Sequence, residues 1–110
     1  MAVIYYNNYE DTTNWSFGSP VIQLAQNAEV TYTVPGAVTE TLQAIFEYND
    51  NSNVIVALNS TASVPGAGLA VTTGRMEYKP FKRVVNGGDV LHFITPDTTA
   101  FLGVSFRQTP

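Results

Sequence analysis

The chain has 110 residues, 45% of them hydrophobic, a formal net charge of −4 and no cysteine. That length and apolar content suit one domain with one core, and the missing cysteine excludes disulfides and thiolate metal sites, so folding rests on packing alone. Charge is unevenly spread: residues 1–73 hold six acidic side chains and neither Lys nor Arg, whereas Arg75, Lys79, Lys82 and Arg83 gather four of the five basic residues into one short stretch. An acidic chain of this kind lacks the broad positive face that phosphate binding needs, so no nucleic-acid partner is expected.

The opening "MAVIYYNNYEDTTNW" has neither a basic start nor a continuous apolar run, which reads as no signal peptide. No segment approaches the roughly 18 apolar residues of a spanning helix, so a soluble chain made in the cytoplasm, with no membrane partner, is expected. Residues 1–20 nevertheless carry Tyr5, Tyr6, Tyr9, Trp15 and Phe17 among Asn, Asp, Thr and Ser. Two readings stand for this segment: an edge strand packed on its own domain, or an aromatic arm laid across a neighbouring subunit.

Residues 21–110 read as a single β-sandwich domain, since Val and Thr are frequent and β-branched side chains suit pleated, half-buried strands. "VIQLA" (21–25) leads to "EVTYTV" (29–34), where Val30, Tyr32 and Val34 alternate with Glu29, Thr31 and Thr33, leaving one face wet. "TLQAIFEY" (41–48) alternates in the same way, "NDNSN" (49–53) reads as a hairpin loop, and "VIVAL" (54–58) is apolar on both faces. Residues 59–73 are small and uncharged, a length of irregular chain that suits a contact loop. Pro80 interrupts the basic stretch and places it at a sheet edge or strand end, because proline cannot donate to a central ladder. "NGG" (86–88) turns into "DVLHFIT" (89–95), "PDTT" turns again, and "AFLGVSF" (100–106) closes the set. No helical periodicity exceeds two turns.

Two strands that are greasy on both sides, "VIVAL" and "AFLGVSF", require a cover on their outward faces. In so small a chain the expected cover is another subunit, with Phe101 and Leu102 in the contact.

Chemistry is sparse. The single histidine, His92, lies within "VLHFI" beside Val90 and Ile94 and reads as a packed or hydrogen-bonded structural residue, without a partner spacing for zinc. Ser105 lies outside any G-x-S-x-G elbow, and "GAGLAVTTG" lacks the Lys-Ser/Thr of a phosphate loop. "NDNSN" lacks the closing Glu of a calcium loop, and Asn14 and Asn59 match the glycosylation triplet by chance if no secretion signal is present. No catalytic residue, cofactor or metal is expected. The basic island has three readings: a solvated strand face, a nucleic-acid site with Tyr78 and Phe81 for stacking, or an electrostatic contact with an acidic surface of a partner or of an identical neighbour.

"NGGDVLHFIT" followed by "TAFLGVSF" resembles the closing hairpin of trimeric jelly rolls of the tumour-necrosis-factor and complement-head type, with Gly88-Asp89 opening the penultimate strand and Phe101-Leu102-Gly103 in the last. The cysteine-free, Asn/Thr/Val-rich style also resembles the small accessory virion proteins of tailed bacteriophages, capsid decoration or cement proteins and fibre or tail knobs. These resemblances imply an all-β, small antiparallel β-sandwich of jelly-roll character, a homotrimer placed in the virion. Its expected partner is the major capsid protein or another virion protein, bound without turnover. The alternative they leave open is a fibre-tip or lectin-like glycan-binding module, with Tyr78, Phe81 and residues 59–73 as its platform.

Overall fold

The computed structural model describes residues 20–65 and 75–108, which form eight strands and no helix. They are β1 (Val21–Ala25), β2 (Val30–Thr33), β3 (Thr41–Tyr48), β4 (Ile55–Leu58), β5 (Met76–Tyr78), β6 (Lys82–Asn86), β7 (Val90–Ile94) and β8 (Thr99–Gln108). Two four-stranded antiparallel sheets result, the first ordered β1-β8-β3-β6 and the second β2-β7-β4-β5. Successive strands cross between the sheets almost throughout, and only β4 and β5 are consecutive partners. This is the double-sheet jelly roll, two interleaved Greek keys.

The crossing connections overturn two local readings. "NDNSN" does not close a hairpin, because β3 pairs with β8 and β6 while β4 pairs with β7 and β5. The closing strands β7 and β8 likewise lie in opposite sheets. Turn formers permit either outcome: the same Asn, Asp, Gly and Pro residues reverse a chain within a sheet or carry it across to the other.

Period-2 alternation decides what fills the space between the sheets. Leu42, Ala44 and Phe46 of β3, Ala100, Leu102, Val104 and Phe106 of β8, and Leu91 and Phe93 of β7 point inward and are fully buried. Tyr32 stacks on Phe106 with centroids 5.8 Å apart, and Phe46 meets Phe93 edge-on at 6.5 Å, linking one sheet to the other through aromatic contacts. At one end the turn after β6 is pinned by close approach. A side chain at Gly87 would strike the Ala37 carbonyl oxygen at 2.1 Å, and Gly88 adopts φ of +87°, so both positions require glycine. Val34 and Asp89, Gly88 and Val34, and Gly87 and Glu40 complete the crossing with backbone hydrogen bonds.

The outward face of the second sheet carries Ile55, Ala57 and Ile94, the "VIVAL" side expected to need another subunit. The chain covers it itself. Ala62 and Val64, in the connection that follows β4, pack with Ile55, Ala57, Ile94 and Met76 into a second apolar cluster. Glu29 latches this cover: its Oε2 accepts the Ala62 backbone N–H at 2.6 Å, and His92 Nδ1 lies 3.1 Å from the same oxygen, a close contact without the alignment of a full hydrogen bond. Asn59 anchors the start of the cover by donating its backbone N–H to the Val90 carbonyl at 2.7 Å and accepting the Val90 N–H at 2.7 Å. His92 is therefore placed in a structural contact beneath the cover.

Candidate docking surfaces

The jelly roll leaves two surfaces without a cover among the described residues: the outward face of the first sheet, and the side where the two sheets' edge strands, β5 and β6, stand next to each other.

On the first sheet's outward face, Val21, Gln23, Ile45, Glu47, Phe101, Ser105 and Arg107 alternate with the core residues. Val21 is 78% exposed and Phe101 43% exposed, diagonal neighbours at the β1–β8 corner. Gly103, at the centre of β8, has no side chain to fill the space beside them. A shallow depression of about 310 Å³ lies over it, rimmed by Pro20, Val21, Ile45, Glu47 and Arg107. A glycine inside a strand weakens it and often marks a place where another group approaches the backbone closely. Arg107 Nε is buried at this rim without a hydrogen-bond partner among the described residues.

The β5–β6 side gathers the basic island. Arg75 precedes β5, Lys79 lies in the turn, and Lys82 and Arg83 open β6, so the four residues singled out in the sequence do share one edge. They are not four free charges. Glu77 stands opposite Val56 and Arg83 opposite Ala44, both inward positions, so the two side chains meet across the gap between the sheets. Arg83 Nε donates to both Glu77 oxygens at 3.0 Å, its second amino group also reaches Glu77 Oε1, and its Nη1 donates to the Lys82 carbonyl at 2.6 Å. The hydrogen bond from Arg83 holds the Glu77 carboxyl below the usual carboxylate range, and Glu77 in turn pushes the Arg83 guanidinium up. By occupying the Lys82 carbonyl, Arg83 also blunts an exposed sheet edge.

Two lysines lie over rings. Lys79 Nζ is 5.5 Å from the Tyr48 centroid and Lys82 Nζ is 5.7 Å from that of Phe81. Tyr48 fixes the turn by donating its hydroxyl to the Pro80 carbonyl at 2.6 Å, and burial pushes its phenol well above its ordinary pKa. Arg75 alone in the island has no side-chain partner among the described residues. Beneath the Glu77–Arg83 pair an apolar cleft of about 100 Å³ opens between the sheets, floored by Phe46, Val56, Val85 and Leu91, with Arg75 at its mouth. Val84 (63% exposed) and Phe81 (65% exposed) flank it.

The sequence-based contact residues thus divide. Arg75, Lys79, Lys82 and Arg83 converge; Phe101 is exposed on the first sheet, near the opposite edge. Leu102 is corrected: at 1% exposure it belongs to the core, because its neighbours in parity, Ala100 and Val104, point the same way. Tyr5, Tyr6, Tyr9, Trp15 and Phe17 lie outside the described residues, as do residues 66–73 of the expected contact loop. Glu77, the cleft and the exposed Val84 escaped the sequence reading. The signal for the first was a Glu and an Arg on the two sides of a chain-reversing Pro80. No group of three or more potential metal ligands occurs among the described residues.

Compared with protein families, with curated proteins and with solved structures, the chain matches none.

Proposed function

We propose that the chain is a structural protein of a multi-subunit shell, a decoration or cement protein of the bacteriophage kind, acting as a homotrimer that binds the major capsid protein or another virion protein. Its action is attachment without turnover. The observation that carries this reading is the unequal treatment of the two outward faces: one is sealed by the chain's own Ala62 and Val64, while the other leaves Val21 and Phe101 in water beside the hollow over Gly103. Exposed apolar patches of this kind mark contact surfaces. The fold adds support by analogy, since jelly rolls recur in viral capsid domains. At roughly 25 cal/mol per Å² of apolar area, an interface above about 1,000 Å² suffices for stable attachment once association costs are met, and repetition over a lattice raises avidity further.

A second reading, a fibre-tip or lectin-like head, is favoured by Tyr78 and Phe81, both exposed on the β5–β6 side, with the Tyr78 hydroxyl held by Asn53 at 2.8 Å. Aromatic faces beside fixed polar groups suit sugar rings. Co-sedimentation with empty shells, run in parallel with a glycan array, separates the two. Shell binding that is lost in Phe101→Asp supports decoration; a chain that ignores shells and binds a glycan through Phe81 replaces it.

A further inference from the structure

We infer that the cleft at the β5–β6 edge is the seat for residues 9–11 of a second copy of this chain, Tyr9 entering between the sheets and Glu10 and Asp11 meeting the basic rim. This rests on the homo-oligomeric part of the reading above and names the contact that would build the oligomer.

The cleft has the chemistry of such an anchor site. Its floor is apolar, and its volume of about 100 Å³ approaches the ~150 Å³ of apolar cavities that admit a benzene ring. Its mouth holds two guanidiniums, Arg75 and Arg83, against one carboxylate, Glu77, and Lys79 and Lys82 add positive charge to the same edge without lining the cleft. Arg83 is engaged by Glu77; Arg75 is uncommitted among the described residues and able to take an incoming carboxylate without breaking an existing pair. The occupant therefore needs an aromatic ring followed at once by negative charge. Within residues 1–73, where every charge is negative, "YED" at 9–11 is the place where an aromatic residue is followed by two adjacent acids. The cleft is open at its mouth, so a tyrosine ring enters it in part and keeps its hydroxyl end at the polar rim.

The edges of the first sheet set donor and acceptor apart in a way that suits a neighbouring copy. In the order β1-β8-β3-β6 the segment before Pro20 leaves from the β1 edge, whereas the cleft opens beside β6 at the other edge of the same sheet. Donor at one edge and acceptor at the opposite edge is a head-to-tail arrangement, which closes into a ring when the rotation permits. Ten residues lie between Tyr9 and Pro20, and the eleven steps reach up to about 36–40 Å when extended, ample for bridging to an adjacent subunit.

The test is light scattering on the full-length protein without shells, at low and high salt. Wild type is expected at a multiple of 12.0 kDa, with association weakened at least tenfold by Tyr9→Ser and by the pair Glu10→Arg/Asp11→Arg. The pair Arg75→Glu/Lys82→Glu alters exposed residues that support no part of the core, and should weaken association equally. Mixing the two charge-reversed proteins should restore a hetero-oligomer that neither forms alone. A chain that is monomeric at high concentration overturns the inference, as does an oligomer indifferent to Tyr9→Ser. Contacts between residues 9–11 and the cleft seen only within one molecule, in a mixture of labelled and unlabelled protein, overturn it as well. An arm-dependent oligomer that ignores shells upholds this contact and removes only the decoration reading.

Discussion

The two sheets face water in different ways. The second lays a stretch of its own chain over Ile55, Ala57 and Ile94 and fixes it with one carboxylate, Glu29; the first keeps Val21 and Phe101 uncovered around a glycine hollow. The lesson is that a strand apolar on both sides announces a cover without naming its source. Here one of the two strands expected to need a neighbour found its cover four residues downstream, and only the other remains a candidate contact.

Substitutions can break this contrast, beginning with adjacent residues of β8. Leu102→Ala should cost about 2–5 kcal/mol in chemical denaturation, because it empties a fully enclosed core position. Ile55→Ala, on the outward but sealed face, should fall in the same range. If Ile55 instead behaved as a surface residue, the downstream cover would contribute no real burial. Next comes Glu29→Ala, which leaves the Ala62 N–H without its acceptor. It should cost about 1–3 kcal/mol and speed hydrogen exchange at Ala62 before any global unfolding.

The Glu77–Arg83 pair should contribute less, about 0.5–1 kcal/mol, since both side chains are half exposed and screened. Its sign with pH is fixed by direction. Glu77 is held below its ordinary carboxylate value of 4.5, so its contribution is present above that pH and is lost as pH falls through the lowered value in the folded protein. The stability gap between wild type and Glu77→Gln should therefore stay level from pH 7 to about 5 and close in more acid solution. The smallest change in stability, within about 0.5 kcal/mol, is expected for Phe101→Asp, whose effect should appear in assembly instead.

Much of the architecture was legible in residue alternation. "TLQAIFEY" reads as a strand and is β3 from first residue to last, because Leu42, Ala44 and Phe46 fall on one side and Gln43, Ile45 and Glu47 on the other. Pro80 correctly marked an edge. What escaped was anything requiring knowledge of which strand lies beside which. A turn's composition does not say whether the chain stays in its sheet, so "NDNSN" and the closing strands read as hairpins. In a strand apolar on both faces, Phe101 and Leu102 both read as contact residues; Gly103, Ser105 and Arg107 give the parity that sorts them, with Leu102 inward. Ala62 and Val64, small and two apart, gave the signal for the self-made cover, but nothing local ties them to Ile55. The basic island was visible as charge, while its partial neutralisation by Glu77 depends on the gap between two sheets.

The pairing of β1 with β8 sets when this fold can form. The earliest described strand waits for the latest one, and β8 is also the partner that β3 needs along most of its length. A nascent chain still lacking residues 99–108 is missing one of the two central strands of its first sheet, so collapse into the native arrangement must follow synthesis of β8. Ordering distant segments so late is entropically demanding, which makes folding slow relative to helical proteins of this size.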